Sequence, residues 1–226
     1  MSLENQKNVL IKYFLHQGIL NEETKRCFSV VPREEFLPES LRNAAYSDRP
    51  LPLFRTGQTI SAPHMCAMIL GYMKLAPSNL KILEVGAGSG YQAALLAEMI
   101  SPSDNKTKGH VYTIERVPNL VKFARKNLER AGYSDRVTVI EGDGTRGFPE
   151  EAPYDRIIVT AAGPIIPPPL LEQLKPEDGI LCMPLGSRGL WQEMVNIRKD
   201  SHGNVSKEHL ANVAFVPLIG EYGNRI

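Results

Sequence analysis

The chain has almost no excess of either charge, few aromatic residues and no long apolar run. Its 26 Lys and Arg stand against 25 Asp and Glu, a formal net charge of +1. A protein whose main task is gripping a nucleic-acid backbone carries a strong basic excess, so no nucleic-acid partner is expected. No apolar stretch approaches the roughly 18 residues of a membrane span, so no membrane partner is expected either. The N-terminal stretch is polar, with Glu4 early, and does not read as a signal peptide. Cysteine is scarce: Cys27, Cys66 and Cys182 lie far apart and fit no metal-ligand spacing. They read as buried thiols in a reducing compartment, which makes the cytoplasm the expected location. The histidines form no metal constellation, so no metal is expected. There is no heptad seam, and with the balanced charge a monomer is the simpler expectation.

What is present is ordinary globular material, with 42% hydrophobic and 23% charged residues over a length suited to one elaborated domain. Roughly the first 75 residues differ from the rest. Val9, Leu10, Tyr13 and Phe14 share a helical face that Gly18 would end. Asn21 can cap a second short helix ending before Val31-Pro32, and Pro32 can open a third. The stretch Tyr46-Ser-Asp-Arg-Pro-Leu-Pro-Leu-Phe54 is too rich in proline for a regular central element. A further helix is predicted from Ser61, turning Met65, Met68, Ile69 and Tyr72 inward and stopping by Pro77.

From Lys81 onward, strands and helices alternate. Short β-branched runs recur at 81–85, 110–115, 137–140, 156–160 and 180–185, with helical patterns at 91–100 and 119–131. Such alternation predicts parallel strands covered by helices on both faces. Two further strands, 193–198 and 213–218, flank the turn-rich Asp200-Ser-His-Gly-Asn204 and are expected to pair antiparallel at a sheet edge.

The segment Leu83-Glu-Val-Gly-Ala-Gly-Ser-Gly90 follows a strand and opens a helix. Glycines there let the backbone turn tightly and approach a ligand beside a helix N-terminus. One glycine could merely join strand to helix; three at this place argue for a ligand. Gly86, Gly88 and Gly90 run Gly-x-Gly-x-Gly rather than the dinucleotide Gly-x-Gly-x-x-Gly, and no Gly-Lys-Ser/Thr ending marks a P-loop. Glu84 just before them suits a cationic amino group better than two phosphates. Glu115 ends the second core strand, where a carboxylate can accept both ribose hydroxyls. Asp143, in Glu141-Gly-Asp-Gly144, can accept from an adenine amino group. Either of these last two, taken alone, reads better as a solvated or turn-forming carboxylate. Together the three acids describe an adenosine with a charged amino-acid tail, as in S-adenosylmethionine or its demethylated product.

At these residues the sequence resembles the protein-L-isoaspartate (D-aspartate) O-methyltransferases. The likeness runs through Val31-Pro-Arg-Glu-Glu-Phe36, Ala45-Tyr-Ser-Asp-Arg-Pro-Leu-Pro52, Gly57-Gln-Thr-Ile-Ser-Ala-Pro-His-Met65 and Leu83–Gln92. It continues through Thr113-Ile-Glu-Arg116, Gly142-Asp-Gly144, Tyr154-Asp-Arg-Ile-Ile-Val-Thr-Ala-Ala162 and Val216-Pro-Leu-Ile-Gly220. The glycine loop alone says methyltransferase; Gln58-Thr-Ile-Ser61 is the specific signal. Arg55 stands where the family commonly has Gly, and Asn224 where its tail commonly has Trp. Both positions are expected to border the peptide groove.

The resemblance implies a Rossmann-like class I methyltransferase fold: a doubly wound, mostly parallel seven-stranded sheet with an N-terminal helical cap. One domain is expected over 1–226, with 1–77 as the cap and 78–226 as the core. The implied activity is methyl esterification of the free carboxylate of L-isoaspartyl residues, and often of D-aspartyl, in damaged proteins and peptides. The ester then collapses to a succinimide. S-adenosyl-L-methionine is the implied cofactor and S-adenosyl-L-homocysteine its product. Through the resemblance, Ser61 is the candidate to hold the substrate carboxylate, although its place before Ala62-Pro63 also suits an N-cap. Thr59, Ile60 and His64 are candidate cofactor contacts, joined by Glu84, Gly86, Gly88, Ser89, Gly90, Glu115, Arg116, Asp143 and Gly144.

A carboxylate nucleophile with a pKa near ~4 is ionised at neutral pH, so no strong base is needed and positioning can carry the reaction. Rival chemistries fit less well. Amino methylation favours Asn/Asp-Pro-Pro-Tyr/Phe where this chain has Thr160-Ala-Ala-Gly163. Cytosine C5 methylation needs a cysteine nucleophile, commonly Pro-Cys, and Cys182 sits in Leu-Cys-Met. A binding module that recognises altered peptides without turnover is the non-enzymatic alternative, which the intact Gln58–Ser61 segment disfavours.

Overall fold

A computed structural model describes residues 1–104, 106–186 and 191–225. The N-terminal region opens with α1 (Leu3–His16), capped by the Ser2 side chain, and α2 (Glu22–Val30), where Asn21 and Thr24 form a reciprocal capping box. Pro32, with its fixed φ, leads into a 3₁₀ turn over Arg33–Phe36, and a second spans Glu39–Ala44. The buried face of α1 is Leu10, Ile11 and Phe14, whereas Val9 and Tyr13 are exposed. The apolar stripe is thus rotated by one residue from the predicted face, because residues 9–15 are apolar except for Lys12 and packing chooses among them.

The proline-rich stretch makes a two-residue ribbon: β1 (Leu51–Pro52) pairs antiparallel with β2 (Thr59–Ile60). Then α3 runs Pro63–Tyr72, with Ala62 as its N-cap residue and no side-chain cap. The helix therefore starts two residues later than expected, because Pro63 at the first helical position needs no N–H partner. Its buried face is Cys66, Ala67, Ile69 and Leu70, and of the four side chains predicted to point inward only Ile69 is fully buried.

The core follows: β3 (Lys81–Val85), α4 (Tyr91–Ile100), β4 (His110–Glu115), α5 (Pro118–Arg130), β5 (Val137–Glu141), β6 (Arg156–Val159), α6 (Pro168–Gln173), β7 (Ile180–Leu185), β8 (Gln192–Lys199) and β9 (Val205–Val213). The seven strands lie in the order β5-β4-β3-β6-β7-β8-β9, parallel from β5 to β7 and antiparallel at β8 and β9. Alternate residues enter opposite layers. Ile82, Ile158 and Cys182 join a core shared with α3, α4, α5 and the N-terminal helices, while Leu83, Ile157 and Leu181 join one packed beneath Leu170 of α6. The cap is also tied by charge: Glu98 of α4 pairs with Arg26 of α2 at 2.5 Å and with Arg136 at 3.3 Å. Among the described residues no helix is long and apolar enough to cross a membrane.

The last strand is a correction. The edge partner of β8 is 205–213, not 213–218. Asp200 closes the turn by accepting from the backbone of His202 and Asn204, so pairing resumes at once with Lys199 opposite Val205. A solvent-facing edge strand can be polar, and Ser206-Lys-Glu-His209 contains no apolar run. Residues 216–218 instead return to the end of β6, where Ala162 donates to Val216 and Leu218 donates to Ala162.

Candidate active site

The strand order reverses at β3, with β4 on one side and β6 on the other, so a crevice opens beyond their C-terminal ends. The glycine loop fills the base of that crevice. Gly86 has φ +102°, and a Cβ there would collide with Thr160 Oγ1. The single hydrogen of that Thr160 hydroxyl is shared between the carbonyls of Val85 and Gly86, fastening β3 to β6 at the loop. Gly90, at φ +85°, is the N-cap of α4 and packs on Leu128 rather than lining the crevice.

Two adjoining clefts share Gly86. One is lined by Gln58, Gly86, Glu115, Arg116, Gly144, Ala161 and the returning segment Pro217, Leu218 and Ile219. The other lies between β2 and the loop, lined by Thr59, Ile60, Ser61, Gly86, Gly88, Ser89, Gln92 and Thr160. The β1–β2 ribbon roofs the loop, with Leu53 and the Thr59 carbonyl lying over Gly88.

Glu115 accepts from the Gly88 N–H at 3.0 Å and from the Val117 N–H at 2.9 Å, one bond to each oxygen. Each oxygen keeps a second lone pair unused, and Glu115 lines the first cleft. Glu84 lies beneath the loop and is fully buried; it accepts from the Thr113 hydroxyl at 2.5 Å, and its Oε1 has no partner among the described residues. Burial pushes its pKa up to about 8, with the Thr113 bond opposing and the nearby Glu115 charge adding to the rise.

Ser61 is half-buried on the wall of the second cleft. Its carbonyl accepts from Arg33 Nη2 at 2.7 Å and from the Cys66 thiol, but its hydroxyl has no hydrogen bond among the described residues. The N-cap alternative for Ser61 does not hold, since Ala62 occupies the cap position and no side chain caps α3. Cys66 itself is buried, and desolvation pushes its thiol up to about 11.

Several candidates take other places. His64 turns its ring to Asp48, with Nδ1 at 2.8 Å from the carboxylate that also accepts its backbone N–H, and it lines neither cleft. Asp143 Oδ1 accepts from the Thr145 backbone and hydroxyl, its Oδ2 accepts from the Glu221 N–H, and the residue lines neither cleft. Burial would raise its pKa, but these donors, helped by Arg146, hold it below the ordinary value. It therefore ties the C-terminal segment to the loop after β5, the turn-forming role that the sequence left open, while its neighbour Gly144 lines the cleft. Asn224, one of the two departures, donates to the carbonyls of Ala162 and Leu218 and closes the same segment.

Sequence reasoning missed Arg33, Gln92, Thr160 and Pro217–Ile219 as parts of the site. Each stood in a quoted motif, but nothing local marks Arg33 as buried or Gln92 as facing a cleft.

A mostly parallel seven-stranded sheet of this order, with a glycine loop after its central strand and a carboxylate at the end of the next, defines a class: the Rossmann-like methyltransferases. The comparisons narrow it. The model of the Protein-L-isoaspartate(D-aspartate) O-methyltransferase (PCMT) family matches residues 5–223. A protein-L-isoaspartate O-methyltransferase of Hyperthermus butylicus is 55% identical over 219 residues, covering 96% of this chain and 89% of the relative. One from Staphylothermus marinus is 49% identical over 221 residues, covering 97% and 96%. Among solved structures, a Plasmodium falciparum chain described as a protein-L-isoaspartate O-methyltransferase, in complex with S-adenosyl-L-homocysteine, superposes with a TM-score of 0.80 at 28% identity, covering 93% of this chain and 97% of that one. The chain belongs to the protein-L-isoaspartate(D-aspartate) O-methyltransferase family.

Proposed function

We infer that this protein is a repair methyltransferase: it transfers the methyl group of S-adenosylmethionine to the free carboxylate of isoaspartyl residues in damaged proteins and peptides. The observation that carries the reading is the uncommitted Ser61 hydroxyl, on a cleft wall opposite a glycine loop whose neighbouring cleft holds Glu115. The residues suit the cofactor. Glu115 has lone pairs left for ribose hydroxyls, and the unpartnered Glu84 Oε1 lies beneath the loop where a cationic amino group would favour its charged form.

The bound cofactor supplies an activated methyl group on a sulfonium sulfur. The chain has the remaining tasks. Ser61 donates its hydroxyl hydrogen to one oxygen of the substrate carboxylate and leaves the other oxygen aimed at the glycine loop. The acceptor is already an anion at neutral pH, so no residue has to remove a proton, and the gain comes from fixing its approach. The β1–β2 ribbon and the 216–219 segment exclude water from the two sides. The buried core shared by 1–77 and 78–226 supports one folding unit.

The test is incubation of the purified protein with methyl-labelled S-adenosylmethionine and two peptides that differ only in isoaspartyl versus aspartyl at one position. Base-labile label, released as methanol, is expected from the isoaspartyl peptide alone. Bound cofactor with label on neither peptide would reduce the protein to a binding module or assign it another acceptor. A third peptide with D-aspartyl extends the same test to that acceptor.

A further inference from the structure

All ten residues of α4 are buried, and besides the Tyr91 phenol only Gln92 and Glu98 carry polar side chains. Glu98 is fully engaged by Arg26, Arg136 and the Tyr133 hydroxyl. Gln92 is the opposite case. It is 8% exposed, and neither its Nε2 nor its Oε1 has a hydrogen-bond partner among the described residues. A buried amide with both ends unmet is costly, so its retention asks for a partner that the chain does not supply.

The place of Gln92 says what that partner is. It lines the cleft between Ser61 and the glycine loop, together with Gly86, Ser89 and Thr160. The adjoining cleft, which carries Glu115, suits the adenosine, so the second receives whatever extends beyond the ribose. An amide donates through Nε2 and accepts through Oε1, and a partner that meets both must accept and donate in turn. An α-amino-acid terminus does so, through its carboxylate and its ammonium. We propose that Gln92 is a cofactor contact that reads the amino-acid end of S-adenosylmethionine. The assignment rests on the functional reading above.

The test pairs two ligands with two apolar variants, Gln92→Leu and the unbranched Gln92→Met. S-adenosyl-L-homocysteine carries the amino-acid end; 5′-methylthioadenosine has the same adenosyl sulfur without it. Calorimetric affinities and ligand-free melting temperatures are measured for all three proteins. Both variants are expected to lose roughly tenfold or more in affinity for S-adenosyl-L-homocysteine, the scale of a hydrogen bond to a charged group. Their affinity for 5′-methylthioadenosine should stay unchanged, and their melting temperatures should hold or rise, because an unmet buried amide has been removed. Equal loss for both ligands with a lower melting temperature would make Gln92 a structural residue. Unchanged affinity for both, with a raised KM for the isoaspartyl peptide, would give the amide to the substrate. Either result overturns the proposal while leaving the functional reading intact. A wild-type protein that binds neither ligand would overturn both.

Discussion

Arg33, wholly buried, donates through Nη2 to the carbonyl of Ser61 at 2.7 Å, and through Nε to the carbonyl of Ala45 at 2.8 Å. Its guanidinium lies 4.9 Å from the centre of the Tyr91 ring, at the first residue of α4. One side chain thus spans the 3₁₀ turn that bears it, the segment carrying the candidate substrate residue and the helix behind the glycine loop. Replacing it with Met should leave the buried Ala45 carbonyl without its donor, at a cost of about 1–3 kcal/mol, and leave the half-buried Ser61 carbonyl with only the Cys66 thiol. Lys keeps the charge but not the fork, and should recover stability only in part. Urea melts of the three proteins, beside kcat and KM for an isoaspartyl peptide, check both expectations. Lys restoring full stability would show that charge alone matters here.

Ser61→Ala should separate function from stability. Because Ser61 does not cap α3 and its hydroxyl is uncommitted, stability should change by no more than about 0.5 kcal/mol. Loss of a charge-assisted hydrogen bond should lower kcat/KM at least about tenfold. Melting curves and steady-state kinetics on one preparation are sufficient. Near-normal turnover would remove Ser61 from the chemistry.

Glu84 should make the ligand-free protein less stable as the pH rises. Its folded pKa, pushed up to about 8, lies above the ordinary value of 4.5, so between these limits the folded state holds a proton that the unfolded state has released. The stabilisation is complete below the ordinary value and is lost as the pH climbs through the folded one. Glu84→Gln should flatten this part of the melting temperature against pH curve. A variant that retains the wild-type slope between pH 5 and 8 would assign the dependence to another group.

Asp143→Ala should act on the cofactor cleft indirectly. Removing the carboxylate frees the N–H groups of Glu221 and Thr145 and releases the segment that returns Pro217, Leu218 and Ile219 to the cleft. Faster proteolytic cleavage near the C-terminus and weaker S-adenosyl-L-homocysteine binding are expected together. Weaker binding without faster cleavage would point to direct contact between Asp143 and the ligand.

Much of the core was legible because its signals are local. Ile82 and Leu83 enter opposite layers because side chains alternate along any strand, and Gly86-Ala-Gly-Ser-Gly90 marks a loop because glycine tolerates the positive φ found at all three of its glycines. The Asn21–Thr24 capping box is written within four residues. β9 escaped because an edge strand facing water needs no apolar alternation, and its polar residues carry no strand signal.

The sequence by itself determined the strand–helix alternation, the glycine loop, the carboxylate at the end of β4 and the family, since each depends on residues close together in the chain. Tertiary structure alone decided that Ser61 leaves its hydroxyl free, that Asp143 anchors the C-terminal segment, and that Arg33 and Gln92 are buried beside the clefts. Burial and hydrogen-bond partnership depend on which distant segments pack together. Ser61 meets Arg33 across 28 residues and Asp143 meets Glu221 across 78, separations over which no periodicity or local motif carries information.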